Sequence, residues 1–232
     1  MKKLKTLSFL LIVIAGVSAN AQVVFYGGDA DGRNGLIAST RPGDDGFSYD
    51  DFTLTQQTMI TGLFGNFSLR DSPLYSTASW ELRSGMSAGV PGTLLASGTG
   101  AATSIVTGRV VNLDPEFQVT VLGVNQLLSA GTYHMAMSLG NSSGRVFVNT
   151  TSGLDVVTGG DPNPAPTGGP LANGNTFFSS LFYAANAEPT TTYFGAGTWD
   201  FSYGVLGAVP EPSTFVAIGI ALTGLVALRR RK

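Results

Sequence analysis

The chain has 232 residues with 13 basic and 15 acidic side chains, one histidine and no cysteine, and only 12% of its residues are charged, about half the share usual in soluble domains. Without cysteine there is no disulfide framework and no thiolate chemistry, a single histidine excludes multi-histidine metal sites, and a net charge of −2 leaves no basic footprint for nucleic acid. Charge is unevenly placed: lysines and arginines crowd both ends, while residues 22–209 hold six arginines, no lysine and fourteen acids, a net of −8. The length fits one domain with a sizeable core.

The first element is a secretory signal peptide over residues 1–21. Lys2, Lys3 and Lys5 supply the positive start, Leu7 to Val17 an apolar run, and Ala19-Asn20-Ala21 the small residues that a signal peptidase accepts. Cleavage after Ala21 leaves Gln22 first.

Residues 22–207 read as β throughout, with alternation of period two and no sustained helical period. Ala78, Trp80 and Leu82 alternate with Ser79, Glu81 and Arg83; Phe117, Val119 and Val121 with Gln118 and Thr120. Tyr133, Met135, Met137 and Leu139 face one way, His134, Ala136 and Ser138 the other; Trp199, Phe201 and Tyr203 alternate with Asp200 and Ser202. Each predicts a half-buried strand with a polar outer face. Gly89-Val90-Pro91-Gly92 turns the chain before a strand over Thr93–Ser97, and Ser129-Ala130-Gly131 before one over Thr132–Leu139. Gly140-Asn141-Ser142-Ser143-Gly144 predicts a hairpin joining Tyr133–Leu139 to Arg145–Asn149. Five glycines and four prolines between Thr158 and Asn175 predict a long loop, and Thr198–Leu206 a last strand. About ten strands at such spacing suggest an all-β fold, an antiparallel, jelly-roll-like β-sandwich.

The last element, residues 209–232, has three ordered parts. Pro210-Glu211-Pro212 predicts an extended, accessible stretch, since each proline fixes φ and removes a donor. Phe215 to Leu228 is uncharged and reads as a single, short transmembrane helix. Arg229, Arg230, Arg231 and Lys232 then stop it, holding the tail in the cytoplasm and the body outside.

Proline–glutamate–proline, one short transmembrane helix and a terminal basic cluster together resemble the PEP-CTERM sorting signal of Gram-negative bacteria. The resemblance implies recognition by an exosortase, a membrane-embedded protease-like enzyme, which cuts near Pro210, Glu211 and Pro212; these are then substrate residues, and the protein is linked with exopolysaccharide and biofilm. The body resembles ectodomains found on such proteins, through Asp50-Asp51-Phe52-Thr53-Leu54, Ile60-Thr61-Gly62, Pro91-Gly92-Thr93-Leu94-Leu95-Ala96 and Leu128-Ser129-Ala130-Gly131-Thr132-Tyr133, over residues 45–140. That likeness implies a sandwich fold and no assigned reaction.

Catalytic candidates are few. His134 lacks a G-x-S-x-G elbow elsewhere in the chain. Paired carboxylates for glycoside hydrolysis are sought among Asp44, Asp45, Asp50, Asp51, Glu81, Glu116 and Glu188, with Asp51 and Glu81 as outward-facing candidates. The loop Gly27–Gly35 carries Asp29 and Asp31 in an Asp-x-Asp-Gly start suited to a structural calcium, although the EF-hand pattern fails at Arg33 and Thr40. Trp80, Trp199 and the Phe177–Tyr183 stretch are candidate rings for stacking on sugars.

The resulting expectation is a non-catalytic cell-surface or matrix protein, exported, anchored briefly in the inner membrane with its body in the periplasm, and then sorted to the surface or beyond. Its partners are signal peptidase, exosortase and extracellular polysaccharide, with no nucleic acid and no cofactor beyond a structural calcium. A carbohydrate-binding module is the alternative, and a secreted glycoside hydrolase ranks third.

Overall fold

The computed structural model describes residues 21–40, 45–69, 76–140, 145–151 and 174–208. Ala19, Pro210, Glu211, Pro212, the apolar run 215–228, the basic tail and all but the last residues of the 158–175 loop lie outside them. Among the described residues, no helix is long and apolar enough to cross a membrane.

Twelve strands follow one another: β1 (Gln22–Tyr26), β2 (Ala30–Ile37), β3 (Phe47–Leu54), β4 (Thr58–Leu69), β5 (Thr77–Ser84), β6 (Thr93–Val111), β7 (Asp114–Leu128), β8 (Gly131–Leu139), β9 (Val146–Thr151), β10 (Phe177–Ser180), β11 (Ala185–Pro189) and β12 (Tyr203–Ala208). A single helical turn, α1 (Thr191–Phe194), is the only helix among the described residues. The all-β, antiparallel expectation holds. The strands form one curled sheet in the order β1-β12-β4-β7-β6-β5-β8-β3-β10-β11, with β9 joining β4 beyond β12 and carrying β2.

The curl comes from β6. Thr93–Ala101 pair with β5, and Ala102–Val111 pair with β7. One strand thus belongs to two halves of the sheet, which turn their apolar faces towards each other. Leu63, Phe67, Val119, Val121 and Val205 from one half share a core with Phe52, Leu82, Met135 and Met137 from the other. Each fully buried aliphatic or phenyl side chain of this kind contributes roughly 1.5–3 kcal/mol. Tyr203 fixes the approach: its buried hydroxyl donates to the Ser48 carbonyl at 3.1 Å and accepts from the Met137 amide at 3.3 Å. Gly204 has no room for a side chain, because a Cβ would sit 2.0 Å from the Phe64 ring of the neighbouring strand.

Local patterns hold where a strand has one wet face. Ala78, Trp80 and Leu82 are buried and Ser79, Glu81 and Arg83 are partly exposed, as the alternation predicts. The expected strand over Thr93–Ser97 grows to a 19-residue β6. Two expectations are corrected. The predicted hairpin does not form: β8 pairs with β3 and β5, whereas β9 pairs with β2 and β4, so the chain crosses between halves after Gly140. The polar outer faces of β8 and of residues 199–203 are not outer: His134, Ser138, Asp200 and Ser202 are all buried. Beside β8 the cause is a second apolar cluster of Tyr49, Met86, Ala136, Phe177 and Ala187, which covers the face the sequence marks as polar.

Replacing Tyr203 by phenylalanine removes both cross-core hydrogen bonds while keeping the ring. The expected loss of stability is about 1–3 kcal/mol, read as a lower urea midpoint with an unchanged slope.

Candidate functional site

Chain ends come first, because β1 and β12 are neighbours. Gln22 lies opposite Gly207, and Ala208 opposite Met59 of β4. Ala21 is exposed immediately before β1. The expected peptidase site and the start of the C-terminal segment therefore leave the body at adjacent strand ends. No spacer separates β12 from that segment.

Asp29 and Asp31 lie together near the start of β2, and each faces an arginine. Asp29 accepts from Arg109 Nη1 at 2.6 Å and from the Tyr26 hydroxyl at 2.6 Å; burial, then Asp29, pushes the Tyr26 phenol well up. Asp31 is paired with Arg33 at 2.6 Å and accepts from Thr150 Oγ1 at 2.7 Å. Among the described residues, no three His, Cys, Asp or Glu side chains converge to hold a metal ion. Arg109 also donates to Glu116, a fully buried carboxylate that accepts further from Thr107 Oγ1 at 2.7 Å and from Asn149 Nδ2 at 3.0 Å. Asn149 Oδ1 in turn accepts from Ser68 Oγ at 2.6 Å. Sequence reasoning names Glu116 only as one of several carboxylates and misses this network. Its one signal is a pair of polar residues at alternate positions near the end of β4, Asn66 and Ser68, beside Gln118 and Glu116 of β7.

A second polar group lies on β3, β8 and β5. Asp51 is opposite His134, and His134 opposite Arg83. The histidine is only 3% exposed, its ring lies 5.5 Å from Phe177, and neither ring nitrogen has a hydrogen-bond partner of good geometry. Burial lowers its pKa, while Asp51 and Asn175 oppose that fall. Glu81 is on the same face as Asp51, two strands away, and is held by Tyr49 at 2.6 Å and Arg83 at 2.6 Å. Asp50 points into the core, accepting the Phe201 amide at 2.6 Å and the Asp51 amide at 2.9 Å. Burial, reinforced by the charges of Asp200 and Asp51, holds its pKa well above the usual carboxylate range.

The aromatic candidates separate by burial. Trp80, Phe177 and Phe178 are core residues. Trp199 is half-buried between Phe194, at 5.0 Å, and Arg33, at 5.1 Å. The β10–β11 turn is different. Leu181 is 94% exposed, Phe182 58% and Tyr183 41%, and Tyr193 of α1 is 42% exposed. Phe182 and Tyr183 meet edge to face at 4.9 Å, and Tyr193 stands at 5.2 Å on the buried Phe178. Asp45 Oδ1 fixes the turn by accepting from Ser180 Oγ and from the Phe182 amide, both at 3.1 Å. These rings form an ordered, solvent-facing aromatic surface.

Asp50 yields a pH test. With a folded pKa above its unfolded value, the folded state holds the proton longer, so its contribution is full at low pH and is lost as pH rises through the folded pKa. The stability of the wild type relative to Asp50→Asn is therefore larger at about pH 4.5 than at pH 7. An equal difference at both, by urea unfolding, contradicts the shift.

Comparison with known proteins adds one finding and one absence. No curated protein matches the chain. Residues 208–232, which begin at the last residue of β12, match the PEP-CTERM protein-sorting motif, so the chain is an exported protein that carries the sorting signal of an exosortase substrate.

Proposed function

We propose that this is a non-catalytic protein of the cell surface or extracellular matrix, associated with exopolysaccharide and biofilm in a Gram-negative bacterium. On this reading, signal peptidase removes residues 1–21 after Ala19-Asn20-Ala21. Residues 215–228 then hold the body at the inner membrane, on its periplasmic side, with Arg229–Lys232 as the stop. Exosortase cuts near Pro210-Glu211-Pro212, and the body passes to the surface. No cofactor is required. We read the curled sheet as a jelly-roll-like sandwich whose two layers are joined through β6.

The observation that carries the reading is the coincidence of the motif's first residue with the end of β12. Every described strand ends by Ala208, upstream of Pro210-Glu211-Pro212, so a cut at that tripeptide removes no residue of a described strand. The adjacent ends of β1 and β12 also suit a body tethered at one edge.

A second reading, a carbohydrate-binding module, is favoured by Phe182, Tyr183 and Tyr193. Exposed rings held in place lose little entropy on stacking against the C–H face of a sugar. The Asp45 bonds to this turn supply that preorganisation.

Substituting alanine for Pro210, Glu211 and Pro212 together tests the main reading in the producing host. The wild type is expected outside the inner membrane and shortened at its C-terminus, and the variant full-length in the membrane fraction. Equal mass and equal distribution of the two would defeat it.

A further inference from the structure

A pocket of about 230 Å³ opens where β2, β9 and the β6–β7 turn meet. Its volume equals that of about eight waters at ~30 Å³ each, which is room for one small ring and little more. Its lining is rich in carboxamides: Asn34, Asn112 and Asn149, with Ser68 beside them. Phe147 supplies a half-buried ring, and Asp114 is the one acidic lining residue; none is basic.

The floor is preset. Asn149 is fully buried and Ser68 nearly so, and each is oriented by the bonds that tie them to Glu116 and Arg109. Those bonds leave capacity towards the pocket: a hydroxyl still has acceptor lone pairs, and a carboxamide one more N–H. At the rim, Asn112 Nδ2 donates to the Arg33 carbonyl at 3.3 Å, which steadies the side chain and leaves its oxygen. Asn112 and Leu113 both have positive φ, so this two-residue turn holds the carboxamide against the opening. Opposite Asn149, Gly35 keeps the wall thin: a Cβ there would lie 2.9 Å from Phe147 Cβ.

We propose that this pocket binds a single neutral sugar unit, a hexopyranose within or at the end of a polysaccharide chain. Amides and a hydroxyl both donate and accept, which matches vicinal hydroxyls. The Phe147 ring offers a face to the sugar's C–H edge. An anion is disfavoured, because the lining contains a carboxylate and no guanidinium or ammonium group. The proposal rests on the carbohydrate-binding reading. It adds a site separate in sequence from the aromatic turn, one that selects a residue type where the turn's rings grip a polymer without discrimination.

The test uses protein secreted by the producing host. It is titrated with glucose, galactose and mannose, with glucuronate and inorganic phosphate as anionic controls, and followed by side-chain amide NMR signals. At least one neutral hexose is expected to move the signals of Asn34, Asn112 and Asn149, and the anions to bind more weakly. The double variant Asn34→Ala, Asn112→Gly (glycine keeps the turn's positive φ) and the single variant Phe147→Leu are each expected to weaken binding tenfold or more at an unchanged thermal midpoint. Phe182→Ala with Tyr183→Ala is expected to leave hexose binding intact and to weaken co-sedimentation with the host's exopolysaccharide. The pocket assignment is overturned if no neutral hexose moves those three amide signals, if an anion binds best, or if the pocket variants, still folded, bind as the wild type does. Co-sedimentation that survives alongside such a result spares the carbohydrate-binding reading, and its absence in the wild type overturns that reading as well.

Discussion

A strand that serves two halves of a sheet must bend the sheet around itself, and β6 does this between Ala101 and Ala102. The consequences run through the molecule. The two halves face each other closely enough for Tyr203 to reach the backbone of β3 and β8. The strands in the middle of each half then have neighbours on both sides and matter above and below. Polar side chains on the faces turned away from the shared core are enclosed too, His134 by the second apolar cluster, and an enclosed polar group needs a partner.

The chain meets much of that need with few charges, the His134 ring nitrogens being an exception. Arg109 bridges Asp29 and Glu116, Asn66 donates to Tyr26 and Ser202, and Asn149 links Glu116 to Ser68. Three of these six links are neutral hydrogen bonds, and the other three fall on the carboxylates of Asp29 and Glu116, whose burial Arg109 and Asn149 offset. A low charged fraction is the composition such an interior requires. The same network orders the pocket floor, so groups that tie one half of the sheet together, Ser68 and Asn149, also line the pocket.

Much of this was legible in the sequence, for reasons that differ by element. β5 and the middle of β7 have one wet face, and period-two alternation marks them plainly. The C-terminal sorting signal was readable because its parts follow one another in the sequence, and the match of residues 208–232 to the PEP-CTERM protein-sorting motif bears out that resemblance. The β8–β9 hairpin was misread because a Gly-Asn-Ser-Ser-Gly run specifies a change of direction and not a partner. His134 was misplaced because its cover, Phe177, comes from a strand 43 residues later. The exposed turn after β10 was named only as part of Phe177–Tyr183: four of those seven residues belong to the strand, and only burial separates Phe182 and Tyr183 from Phe177 and Phe178. The carboxamide pocket left no local trace, since Asn34, Asn112 and Asn149 come from three separate segments.

The account's central claim is that the sheet is complete at Ala208 and that the sorting segment acts as an address and not as a structural element. Chemical denaturation of residues 22–208 expressed alone, set beside the same body with residues 209–232 attached in detergent, measures this directly. The account predicts cooperative unfolding at the same midpoint, with matching near-ultraviolet circular dichroism. A fragment that unfolds without cooperativity, or at a clearly lower midpoint, would mean that the C-terminal segment packs into the body and would contradict it.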